Sequence, residues 1–219
     1  MKPVLFRTVF IVAGTLLAGA AWSLSAQDQA APSAVFVTPA TPEEKKIQSA
    51  GEFAIDRLAV SMVNEVRSAL ALGKPEDAVD MCHLTGLAKN GVIPGLPRII
   101  AVKFTSLKIR TSANLPDAAD KLALDYFDHT PGTATSPPQP LVQRIDAPDS
   151  APEWRVYKPI AVTTNCLVCH GSPGRQSPAL RAKLDALYPN DRATGYQVGE
   201  WRGLIRVTVE AADNLMTQP

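Results

Sequence analysis

The 219-residue chain has only three cysteines and three histidines. A structural zinc site wants four Cys or His ligands, usually in two pairs, and Cys82, Cys166 and Cys169 give one pair and one isolated residue. That argues against zinc. A surplus of one charge is lacking too, since 22 basic residues face 21 acidic ones, and there is no basic stripe or aromatic platform. Nucleic acid is therefore not an expected partner. Beyond the N-terminus no apolar run approaches the roughly twenty residues that cross a bilayer, and there is no internal repeat.

Against these absences, Cys166-Leu167-Val168-Cys169-His170 stands out. Two thiols three residues apart followed at once by an imidazole form the attachment motif for c-type haem. The thiols can add to the two vinyl groups, and the histidine can reach the iron from one face. The same pair also suits a thioredoxin-like dithiol or a plain disulfide, but the dithiol belongs at a strand-to-helix junction in a βαβ unit, which the flanking sequence lacks.

The N-terminus supplies the compartment. Residues 1–26 read as a secretory signal peptide: Lys2 and Arg7 form the positive region, Val9 to Ala21 an apolar stretch, and Ser23-Leu24-Ser25-Ala26 a small-residue cleavage zone. The apolar stretch is about thirteen residues, short of a span, so membrane contact is expected only through this segment if it stays uncleaved. The mature chain is expected to be periplasmic, where c-type haem is attached. Its length of about 190 residues suits one domain.

Residues 27–40 are small, polar and proline-containing, and read as a flexible leader. The domain is then 41–219. Thr41, Pro42 and Glu44 spell a capping box with proline at the first helical position. Ile47, Ala50, Phe53, Ala54, Leu58, Met62, Val66 and Leu70 draw one apolar face as far as Gly73. A second helix is expected from Lys74 to about Lys89, with Ala78, Met81, Cys82 and Thr85 on one face. Ile99–Phe104 and Leu107–Arg110 read as a hairpin or two short strands. Asn114-Leu115-Pro116-Asp117 opens another helix, ending near His129. Within the proline-rich stretch after it, Leu141–Ile145 alternates like a strand. Strands at Trp154–Val162 and Leu204–Val209 flank a short helix opened by Ser177-Pro178. The sum is an α+β domain, an antiparallel sheet with helices packed on one side.

These residues resemble a family: the exported single-haem c-type proteins with a PAS-like core. The resemblance covers roughly Glu43 to Val209. It rests on Ala78-Val79-Asp80-Met81-Cys82, Thr105-Ser106-Leu107-Lys108-Ile109-Arg110, Asn114-Leu115-Pro116-Asp117, Tyr157-Lys158-Pro159-Ile160, Cys166 to Gly171, and Tyr188-Pro189 through Gly195, Gly199 and Gly203. The family usually has arginine where Phe104 stands, Asn-Pro where Thr111-Ser112 stand and Trp-Glu where Ala119-Asp120 stand, so the resemblance carries no detail of that wall of the pocket.

The resemblance implies one covalent haem c on Cys166 and Cys169, with iron ligated axially by His170 and by the thiolate of Cys82. A thiolate favours ferric iron and lowers the potential relative to Met/His ligation. Read from residues alone, Cys82 is equally a small buried side chain. His83, rotated about 100° from Cys82 on a helix, points elsewhere, and His129 suits a helix end. Met62 and Met81 read as core filling. Among Arg98, Lys103, Lys108 and Arg110, the last is the candidate propionate contact, the others forming a solvated strand face. Trp154 and Tyr157 suit either the porphyrin edge or the core.

Two functions follow. One is an electron carrier docking transiently to a redox partner protein. The other is a haem-based redox or gas sensor in which Cys82 leaves the iron on reduction. With the chain ending about ten residues beyond its last strand and no signalling region attached, the carrier ranks first. A peroxidase-like enzyme would need an open iron position and a distal acid/base pair, which the sequence does not offer, so no enzymatic activity is expected.

Overall fold

The computed structural model describes residues 33–81, 96–130, 138–148 and 150–210. The signal segment and the Cys82-His83 pair lie outside these residues. The chain order is β1 (Ser33–Val37), α1 (Pro42–Ala71), a 3₁₀ turn at Asp77–Met81, β2 (Ile99–Thr105), α2 (Ala118–His129), β3 (Leu141–Asp146), β4 (Glu153–Ala161), α3 (Leu167–His170), α4 (Pro178–Leu187) and β5 (Trp201–Val209). The five strands form one antiparallel sheet in the order β1-β3-β4-β5-β2. The domain is α+β, as expected.

Helix α1 begins as its sequence requires. Thr41 accepts the Glu44 amide through its hydroxyl at 3.2 Å, and the Glu44 carboxylate accepts the Thr41 amide at 3.0 Å, so two orphan donors of the first turn are satisfied reciprocally. Ile47, Ala50, Ile55 and Leu58 then pack on Val142, Trp154, Val156, Ile205, Val207 and Val209. Phe53, placed on the apolar face by periodicity, is instead 44% exposed and carries the Arg57 guanidinium over its ring. Gly51 lets the helix close on β4: a Cβ there would stand inside the contact distance of the buried Val156 side chain.

Other expectations are corrected. Residues 33–37, assigned to the flexible leader 27–40, form an edge strand paired with β3 from Ser33–Asp146 to Val37–Val142. Leu107–Arg110 is not a strand, and β2 pairs with β5 rather than with its own continuation. The chain turns after Thr105, where the buried Ser106 hydroxyl binds the carbonyls of Arg202 at 2.9 Å and Lys108 at 3.2 Å.

Nor do the helices share one side. Val156 and Ile205 face α1, whereas their neighbours Tyr157 and Leu204 pack with Leu141 against Ala123, Leu124 and Phe127 of α2, because successive strand residues alternate faces. On this second face Asp120, fully buried, meets Lys103 at 2.8 Å and Arg206 at 3.3 Å, with Tyr157 hydroxyl at 3.2 Å. Lys103 is thus an internal ion-pair partner, not part of a solvated strand face. Tyr157 and Trp154 are both core residues. Arg98 pairs with Glu210 at 3.0 Å, and His129 sits exposed at the end of α2, its Nδ1 2.8 Å from the Asp125 carbonyl oxygen.

Candidate haem-binding site

Residues 162–200 connect β4 to β5, and this connection carries the motif. Val162 is tied back by amide donation to Glu200 at 2.8 Å, and its carbonyl accepts the Gly199 amide at 2.9 Å, so the connection leaves and returns through one neck. A 3₁₀ turn at Thr164–Cys166 runs into the single-turn helix α3, which puts Cys166 and Cys169 three residues apart on one helical turn. Neither thiol is in a disulfide, and both are half-buried. Cys166 packs beside Val162, Ala193 and Tyr196; Cys169 packs with Val79, Leu180, Leu184 and Tyr188.

After α3 the chain must turn sharply. The Gly171 amide donates to Leu167 at 2.9 Å, and a Cβ at Gly171 would collide with that same carbonyl oxygen. The return segment zips onto it through Tyr196 N to His170 O at 3.0 Å and Gly195 N to Gly171 O at 2.9 Å.

His170 is 7% exposed, with Nδ1 2.7 Å from the Ala193 carbonyl oxygen. A carbonyl only accepts, so Nδ1 carries the hydrogen and Nε2 keeps its lone pair in the neutral ring. Burial, and after it the charges of Arg110 and Arg202, hold this imidazole well below the usual histidine range. The ring is therefore neutral and ligand-competent at pH 7.

His170, Cys166 and Cys169 line one cavity of about 400 Å³, within the ordinary range for small-molecule and cofactor sites. Its far wall comes from Met62, Val63 and Val66 of α1 and Ala78 and Val79 of the following turn. Val102, Phe104 and Ile160 form its floor on the α1 face of the sheet. Met62 is thus a cavity residue as well as packing.

Polar residues are interspersed among the apolar ones in the lining. Arg110 reaches the cavity, with Nε 2.9 Å from Asp191 Oδ2 and Nη2 2.8 Å from the Cys169 carbonyl oxygen. The guanidinium expected to meet a propionate thereby also ties the motif helix to the return loop. Arg202 and Asn114 share the wall, and the sequence assigned neither to the site. The register of β4 against β5 passes from Ile160–Gly203 to Ala161–Trp201, which bulges Arg202 out of the ladder and re-aims it. Gly203, with φ 151°, permits this, and a Cβ there would strike the Thr105 carbonyl oxygen. An arginine beside a glycine at the start of an apolar strand was the only signal.

The donor chemistry fits the haem expected from the sequence. Two thiols on one turn, not bridged to each other, can form thioethers, a neutral imidazole with its Nδ1 hydrogen committed can ligate iron, and the walls between them are mostly apolar.

Residues 56–210 match the model of the Tll0287-like family. Among solved structures, the cyanobacterial heme-protein Tll0287 matches with 23% sequence identity and a TM-score of 0.48, over 77% of this chain and 96% of that chain. No curated protein matches.

Proposed function

The chain belongs to the Tll0287-like family, and from that premise we propose that it is an exported, periplasmic mono-haem c-type cytochrome-like protein acting in electron transfer. Cys166 and Cys169 hold the haem covalently, His170 is one axial ligand, and Cys82 is the second. The sheet and its flanking helices serve as a PAS-like core. The chain works as a carrier docking to a redox partner protein, not as an enzyme.

One observation carries this reading: His170, Cys166 and Cys169 line the same largely apolar cavity. The bare name of the family points the same way, since the protein that shares it is described as a heme-protein.

When bound, the haem supplies a one-electron ferric/ferrous couple. The protein's own residues do the rest. Ala193 fixes the His170 tautomer, Arg110 braces the motif helix against Asp191, and Met62, Val66 and Phe104 keep water from the metal's surroundings.

Intact-mass spectrometry of the mature protein, expressed in a host with haem-attachment machinery, tests the proposal. The expected result is the polypeptide plus one iron porphyrin, and a mass without it rejects the reading. Carbon monoxide added to the reduced protein then separates the roles: indifference supports the carrier, and rapid binding the sensor.

A further inference from the structure

Arg202 is 8% exposed, and its guanidinium lies in the cavity wall between two rings, 5.0 Å from the centroid of Phe104 and 5.5 Å from that of Tyr196. Nη1 donates to the Lys108 carbonyl at 3.2 Å. The Tyr196 ring in turn stands edge-on to the His170 imidazole, with centroids 6.2 Å apart. A guanidinium clamped on two aromatic faces is a fixed charge, because it does not lose its proton at any physiological pH and has little rotamer freedom to swing away.

We infer that Arg202 sets the potential of the redox group ligated by His170: its permanent positive charge, held in the cavity wall, favours the ferrous over the ferric state. The inference rests on the haem reading above and goes beyond it by assigning a residue to the tuning of the couple.

The sign follows from charge alone. Reduction adds one electron and removes one unit of positive charge from the metal, so a nearby fixed cation stabilises the reduced form and raises the potential. Arg202 and His170 line the same cavity, and the Tyr196 ring stands against both. Arg110 also lines the cavity, where it is held by Asp191 at 2.9 Å. Burial of Arg202 leaves little solvent around the charge, so salt should screen it weakly.

The experiment is spectroelectrochemistry on the holoprotein at low and at high salt, comparing wild type, Arg202→Gln and Arg202→Lys. The glutamine variant is expected to shift the ferric/ferrous equilibrium about tenfold toward ferric, a drop of about 59 mV for one electron. High salt should not abolish the difference, and lysine should keep most of the wild-type potential. An unchanged potential in Arg202→Gln overturns the inference, as does a lysine variant that falls as far as glutamine, which would make packing the cause. Should glutamine collapse the aromatic stack, as circular dichroism would show, Arg202→Met fills the same space without charge and is read in the same way. Intact mass is the independent readout. Wild type lacking the porphyrin sinks the haem reading, whereas all variants loaded and equal in potential sink only the role of Arg202.

Discussion

The Ala193 carbonyl that fixes the His170 tautomer is itself positioned by Asp191: the Ala193 amide donates to Asp191 Oδ1 at 2.8 Å, while Asp191 Oδ2 accepts from Arg110. One carboxylate thus couples the imidazole's second partner to the guanidinium that braces Cys169. The imidazole's orientation is set two hydrogen bonds away from the ring, by a loop that returns 23 residues later.

Replacing Asp191 with alanine removes the loop's anchor and leaves Arg110 without its acid. Both side chains are mostly buried, at 9% and 12% exposure, so loss of one partner should cost about 3 kcal/mol. Urea denaturation is the measurement. Asp191→Asn, which can still accept from the Ala193 amide, should lose less. In a double-mutant cycle with Arg110→Ala the two losses should not add.

Helix packing gives a second test. Alanine is favoured over glycine in a helix interior by about 1 kcal/mol. At Gly51, however, the added methyl meets Val156, which is fully buried and backed by the rest of the core. Overpacking of this kind costs about 1–3 kcal/mol, so Gly51→Ala should be neutral at best and destabilising by up to about 2 kcal/mol. A gain in thermal midpoint would show that α1 does not press on β4 as described.

These two sites mark the limit of what was legible in the sequence. Capping chemistry is local, so Thr41-Pro42-Glu44 and Asp117 located the starts of α1 and α2, and Asp120 completes the second box. The motif and its cavity-facing histidine were equally local. Sidedness was not: whether Tyr157 faces α1 or α2 depends on strand order, which no short window contains. The strand at 33–37 has no alternation to read, with Val35 and Phe36 both exposed on an edge, and only its pairing to β3 makes it a strand. Arg202 depends on a bulge between two strands 40 residues apart in the chain, roughly the separation of Ile160 from Gly203.

The proposed second ligand makes its own prediction, of opposite sign to that for Arg202. A thiolate at Cys82 stabilises ferric iron, so Cys82→Ser should raise the midpoint potential and change the ferric absorption spectrum. An unaltered ferric spectrum would remove Cys82 from the coordination sphere. Combined with Arg202→Gln, the two shifts should partly cancel, because one acts through the metal's own ligand and the other through space.

Alkali should probe the opposite face of the sheet. Tyr157 is fully buried, its single hydroxyl hydrogen shared between Gln143 Oε1 at 3.0 Å and Asp120 Oδ1 at 3.2 Å. Desolvation first, and then the Asp120 charge, push its ionisation well above the usual tyrosine range. In the unfolded chain the phenol ionises near pH ~10. The folded value is therefore raised, so the stability this group contributes is complete below pH ~10 and declines as pH climbs beyond it, where the unfolded state alone releases the proton. In an ultraviolet titration at alkaline pH, one of the four tyrosines should ionise only as the fold is lost. Tyr157→Phe should abolish that late step and cost about 1–2 kcal/mol at neutral pH, where Asp120 and Gln143 lose a donor. A Tyr157 that titrates reversibly near pH ~10 in the folded protein would mean that water reaches the Asp120 cluster, and that α2 does not seal this face of the sheet.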